Sequence, residues 1–225
     1  MKTSARYFFC ALFLVHPIGR AALARDLIAT SGAVPPRVQV EIVFDGVPVS
    51  SSIEASAIEE ATRIWAEHGV AINTLKARRC RREDAVRLTV TFAAGPDRRL
   101  ASGALGSIRF TDGVPEPAIT MYPDAVAAIV ASTRFGDDRF SHVVFHEYML
   151  GRVLGRALAH EVGHFLLRSR MHSAAGLMRA SHPALDLVAP DRRQFGLSAD
   201  EVTRLVSVAP ITLHASTLAP QAAAP

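Results

Sequence analysis

The segment His160-Glu161-Val162-Gly163-His164 constrains the chemistry of this 225-residue chain more than any other. On a helix, residues four apart share a face one turn apart, so both imidazoles can point at a single metal ion. The carboxylate of Glu161 then reaches a water on that ion rather than the ion itself. Zinc lowers the pKa of such a water toward about 7, and a neighbouring carboxylate can take its proton as it attacks a carbonyl. A catalytic zinc needs a third protein ligand and an open fourth position, and His172 follows His164 by eight residues. For that ring to return to the same ion, the helix must end near Leu167 or Arg168. The chain must then turn back through Ser169-Arg170-Met171, where no glycine marks the turn.

These residues resemble the metzincin clan of zinc endopeptidases, in which a third histidine follows the active helix and a methionine turn lies beneath the metal. His172-Ser173-Ala174-Ala175-Gly176-Leu177-Met178 looks like that downstream segment, with Met178 as the turn methionine. Phe195-Gly196-Leu197-Ser198-Ala199-Asp200-Glu201 looks like the clan's approach to its last helix. The resemblance covers residues 37–208 in arrangement and 157–178 in specific motif. It implies one catalytic Zn2+ held by His160, His164 and His172, with Glu161 as general base and then acid. It also implies a peptide or protein substrate that pairs with the strand around Leu105 to Phe110. The clan's usual pattern places a glycine three residues after the second histidine and the third ligand three beyond that. This chain has Leu167 and Arg170 there. Arginine cannot bind zinc, so a loop two residues longer is expected to deliver His172; Glu201, Asp186 and His182 are the alternatives. Without a metal, His160, Glu161 and His164 read as an exposed helix face, and Met178 taken alone reads as core filler.

The elements that must position these residues follow from periodicity. Arg37 to Phe44 alternates as a strand ended by Asp45-Gly46, and Ser52 to His68 is an amphipathic helix closed by Gly69. Val70 to Leu75, Val86 to Phe92, Ala104 to Phe110 and Ala118 to Tyr122 read as strands, the last two joined by Asp112-Gly113-Val114-Pro115. Asp124 is expected to cap a helix running through Ala131. Apolar residues from Val143 to Leu166 predict a long helix over roughly 140–167, which Gly151 and Gly155 weaken without breaking. An irregular stretch passes Pro183 and Pro190. Ser198 and Glu201 then form a capping box for a last helix ending near Val208. The expected fold is α+β and metzincin-like: a mixed twisted β-sheet with a long N-terminal helix, an active-site helix, a methionine turn and a C-terminal helix.

Composition sets the surroundings. With 49% hydrophobic and 20% charged residues, the chain is too apolar to be mostly disordered. Residues 1–24 read as a secretory signal peptide: Lys2 and Arg6 precede an apolar run from Tyr7 to Val15, and Ala22-Leu23-Ala24 offers a cleavage site. Residues 25–36 read as a short tail, 37–210 as one metalloprotease-like domain and 211–225 as a flexible C-terminal tail. The formal charge of +4 and the pI of about 9.6 suggest an anionic partner. Cleavage after Ala24, however, leaves 22 basic side chains against 21 acidic ones. With arginines scattered and no aromatic-basic interleaving, no nucleic-acid footprint remains, and no stable membrane insertion is expected after cleavage. A secreted or periplasmic location follows. Cys10 would leave with the signal, so Cys80, among Arg78, Arg79, Arg81 and Arg82, has no intrachain partner. His142 and His146 are also four apart but lack further ligands, and read as surface histidines. Tyr148 and Arg179 are considered as oxyanion donors and not assigned. The alternative to a peptidase is a non-catalytic exported binding protein with a structural zinc site.

Overall fold

A computed structural model describes residues 38–46, 49–74, 85–95, 103–133 and 143–215, all within one compact unit, Pro35–Pro225. Residues 1–24, read from sequence as a signal peptide, residues 25–36, Cys80, His142 and residues 216–225 lie outside the described residues.

Alternation in Val38–Asp45 makes β1, and its inward residues Val40 and Ile42 are fully buried. Helix α1, Ser51–Ala66, starts where the Ser50 hydroxyl accepts from the Ile53 amide, and Gly69 at φ +72° turns the chain into β2, Val70–Thr74. Strands β1 and β2 pair in parallel (Val38 with Val70), so α1 is the crossover that such a pair needs. Strand β3, Ala85–Phe92, lies parallel on the other side of β1 (Val40 with Val86). Strands β4, Gly106–Thr111, and β5, Val114–Met121, form an antiparallel hairpin. The turn is shorter than the sequence suggested. Asp112 and Gly113, both at positive φ, form the whole two-residue loop, and β5 begins at Val114. The sheet order is β2-β1-β3-β5-β4, which leaves β4 as the antiparallel edge of an otherwise parallel sheet.

Helix α2, Pro123–Ser132, follows β5. Its N-cap is Tyr122, without a side-chain cap bond; the helix starts on Pro123, whose missing N–H costs nothing there, and Asp124 falls in the first turn rather than at the cap. Helix α3, Val143–Leu166, packs along α1. A Cβ on Gly155 would come within 2.5 Å of the Ala57 carbonyl and 2.7 Å of Glu60 Cβ, so this glycine is what lets the two helices close. One turn on, the Trp65 indole donates to the Ala159 carbonyl at 3.1 Å.

The stretch past Pro183 is not wholly irregular: it holds α4, Ala184–Val188, and a 3-10 turn at Arg193–Phe195, both too short to show a period. Helix α5, Ala199–Ala215, runs past the expected end at Val208, as apolar residues continue through Ile211 and Leu213. Its capping box forms: the Glu201 carboxylate accepts from the Ser198 amide at 2.7 Å, and the Ser198 hydroxyl from the Glu201 amide at 3.3 Å. The core lies between sheet and helices, around Ile42, Leu88, Ile119, Met121, Trp65 and Leu158. Among the described residues, no helix is long and apolar enough to cross a membrane.

Candidate metal centre

The last turns of α3 place His160 and His164 on one face, with ring centroids 4.7 Å apart. The end of this helix decides where the next histidine goes. The Ser169 amide bonds the His164 carbonyl and the Arg168 amide bonds the Phe165 carbonyl, each at 3.2 Å, with Arg168 at φ +48°. This is a Schellman ending with arginine at the left-handed position that glycine usually fills. The turn that lacked a glycine signal is therefore made by a strained arginine, and the chain doubles back to bring the His172 ring 5.3 Å from that of His160 and 4.9 Å from that of His164. Holding a Cβ residue in this conformation costs about 1–2 kcal/mol, which glycine escapes at some entropic cost in the unfolded chain. Arg168→Gly is therefore expected to raise unfolding free energy by about 0.5–1 kcal/mol, measured as a shift of the urea midpoint at unchanged slope.

The same turn orients the rings. Nδ1 of His164 bonds the Ser169 carbonyl at 2.6 Å, and Nδ1 of His160 bonds the Leu177 carbonyl at 2.8 Å. A ring that donates through Nδ1 presents the Nε2 lone pair, the form in which histidine binds metals. The two Nε2 atoms face each other at 3.0 Å. Two lone pairs at that distance repel, and a cation between them removes the conflict; ligands of a tetrahedral zinc at about 2.0–2.1 Å sit roughly 3.3 Å apart. One ligand atom from each of His160, His164 and His172 lies within 4.8 Å of the others, so the donor set fits a zinc ion. Burial lowers the His160 pKa to about 4, with His164 adding to the effect, and burial lowers that of His164 too. Both rings therefore stay neutral at physiological pH, as ligation requires.

Met178 is buried against α3, and its sulfur fills the space that a Cβ on Gly163 would take, which explains the glycine between Val162 and His164. The Ser173 amide bonds the Met178 carbonyl at 2.8 Å and tethers this segment to the His172 loop.

The carboxylate of Glu161 is buried, and that burial raises its pKa to about 8. Its Cγ lies 3.0 Å from where a Cβ on Gly106 would stand, so Glu161 sits against the first residue of edge strand β4. The three histidines, Glu161, β4 and residues 179–182 line one cleft of about 1220 Å³.

The other candidates fall elsewhere. Glu201 is engaged by its capping box and by the Ser173 hydroxyl. His182 lines the cleft and stacks on Phe195 at 4.7 Å, outside the histidine group, and Asp186 contributes a backbone carbonyl to Arg156. His146 is exposed, and the Tyr148 hydroxyl accepts from Arg152 at 2.7 Å, away from the cleft. Arg179 does line it.

Two features of the site carry no motif. Tyr122 at the end of β5 shares a 2.8 Å hydrogen bond with Ser107 of β4, both on the cleft wall, and no pattern marks either residue. Arg156, fully buried, bonds Glu60 of α1 through Nε at 2.9 Å, and Arg192 holds the other Glu60 oxygen at 2.6 Å. The remaining Arg156 donors hold the carbonyls of Asp186, Leu187 and Asp191. A weaker signal for Arg156 exists: Arg152, Arg156, His160 and His164 recur every four residues as one polar stripe along an otherwise apolar helix.

No family model matches the chain, and no curated protein matches it. Among solved structures the chain is similar to archaemetzincin from Methanopyrus kandleri, at 15% sequence identity and a TM-score of 0.42, over 80% of this chain and 98% of that one.

Proposed function

We propose that this protein is an exported, metzincin-like zinc endopeptidase that hydrolyses peptide bonds. The observation that carries the reading is the convergence of His160, His164 and His172 on one point, beside Glu161, in a cleft bordered by an edge strand. The histidines would hold one zinc ion, which when bound supplies a polarised carbonyl and a more acidic water. Glu161 removes the proton of the attacking water and returns it to the leaving amine. Burial raises the pKa of this carboxyl, which favours its giving the proton back to the leaving amine. Strand β4, at the edge of the sheet among the described residues, offers backbone partners to an extended substrate, which holds the scissile bond against Glu161 and leaves selectivity to side-chain pockets. Tyr122 and Ser107, bonded to each other on that wall, stiffen the strand beside the reacting atoms. A structural zinc site is closed by four protein ligands, whereas three group here among the described residues, which favours the peptidase over a binding protein with structural zinc. Export rests on the composition of residues 1–24.

Metal-replete Glu161→Gln is expected to bind zinc like the wild type and to lose peptide hydrolysis by about a hundredfold to ten-thousandfold, the usual worth of a positioned proton acceptor. Zinc content and cleavage of a quenched-fluorescence peptide library read the two quantities separately. Full hydrolysis in the zinc-loaded variant would remove Glu161 from the mechanism.

A further inference from the structure

We infer that the cleft selects acidic peptides through Arg170 and Arg179, two guanidinium groups that bracket His172; the inference deepens the endopeptidase reading and takes the peptide nature of the ligand from it. Apart from Glu161 at the histidine group, the other charged side chains on the cleft wall are already matched. Glu116 accepts from Thr111 at 2.6 Å and pairs with Arg109 at 3.7 Å, and Arg156 is held by Glu60 and backbone carbonyls. Arg170 and Arg179 have no carboxylate partner among the described residues. Arg170 is exposed two residues before His172. Arg179 is half-buried and bridges in register with Ser173, the residue after His172. A planar guanidinium with free donors in a concave wall is suited to a carboxylate, which it can bind through two parallel hydrogen bonds.

Arg170 also sets where a peptide meets that charge. It donates to the Phe110 carbonyl at 3.2 Å and lies over the Phe110 ring at 4.9 Å, so the end of β4 is occupied and Gly106–Arg109 remains for pairing. With Gly106 against Glu161, a strand rise of about 3.3 Å per residue puts Arg170 roughly four residues along from the reacting bond. Arg179, beside the His172 loop, meets side chains nearer to it. Residues 25–225 carry 22 basic side chains against 21 acidic ones, so the two unpaired guanidinium groups are a local feature of the cleft.

The test uses zinc-loaded Glu161→Gln protein, whose turnover is at least about a hundredfold slower, and fluorescein-labelled decapeptides that differ only in carrying Glu, Gln or Lys at the same positions. By anisotropy, the Glu peptide is expected to bind about tenfold or more tightly than the Gln peptide, a gap that narrows as salt rises. Adding Arg170→Ala or Arg179→Ala should each shrink that gap several-fold; lysine at either position should keep most of it, and Arg170→Glu with Arg179→Glu should invert it toward the Lys peptide. Unchanged circular dichroism keeps these effects separate from misfolding. Equal affinity for Glu and Gln peptides, a preference that survives loss of both arginines, or no peptide binding at all would overturn the inference. If wild-type protein binds acidic peptides selectively yet cuts none, the endopeptidase reading fails and the selectivity stands.

Discussion

Replacing His172 by alanine is expected to weaken zinc binding by at least about a hundredfold, because two imidazoles four residues apart remain and the third donor is gone. His172 is exposed and belongs to the turn after α3, so its loss should leave the metal-free fold intact. The stability effect is then conditional on metal. A ligand at free concentration c that binds the native state stabilises it by RT ln(1 + c/Kd), so a hundredfold weaker site forfeits about 2.7 kcal/mol at a zinc concentration that saturates both proteins. Competition against a chromophoric chelator measures the affinity, and urea unfolding with and without zinc measures the linked stability. Wild-type affinity in His172→Ala would move the third ligand to another residue, with His182, already on the cleft wall, the first to try.

Arg156→Met is expected to destabilise the protein by about 3–5 kcal/mol, because it takes one of two guanidinium partners from a buried carboxylate and the donor from buried backbone carbonyls. The Glu60 carboxylate is 4% exposed and would retain only Arg192, while the carbonyls of Leu187 and Asp191 would each lose a donor. The loss also reaches the metal centre, since Arg156 lies one turn before His160 on α3 and ties that helix to both α1 and the segment carrying α4. Glu60 still pairs with Arg192 in that variant, so converting Glu60 to glutamine as well breaks the remaining pair, and Glu60→Gln with Arg156→Met should be no more stable than Arg156→Met alone. Urea unfolding of the two single variants and the double variant gives the coupling. A cost under about 1 kcal/mol for Arg156→Met would mean that the network does not hold α1 to α3.

Much of the element list was legible in the chain because alternation and helical spacing are local signals. The β1 alternation, the α1 stripe through Trp65 and the Ser198–Glu201 capping box are found close to where the pattern predicts them. Elements without a period were not legible: α4 and the 3-10 turn at Arg193 are too short, and the reach of α5 past Pro210 runs against the usual rule that proline ends a helix. Gly151 and Gly155 looked like weak points within α3. At Gly155 the missing side chain is instead what admits α1, a fact about two helices that one helix cannot announce.

At the site the division has the same cause. The chain by itself determined that two imidazoles share a helix face, with one carboxylate next to the first of them, because spacing of four on a regular helix leaves no choice. It also supplied His172 and Met178, whose places followed from the resemblance and not from any periodicity. Tertiary structure decided the rest: a left-handed Arg168 turns the chain so that His172 reaches the other rings, and the carbonyls of Ser169 and Leu177 fix which nitrogens face inward. The Met178 sulfur fills the space left open by Gly163, and the sheet order makes β4 the edge against which Glu161 lies. Each of these pairs groups distant along the chain, or depends on a backbone angle that arginine rarely adopts, and neither leaves a periodic trace in sequence.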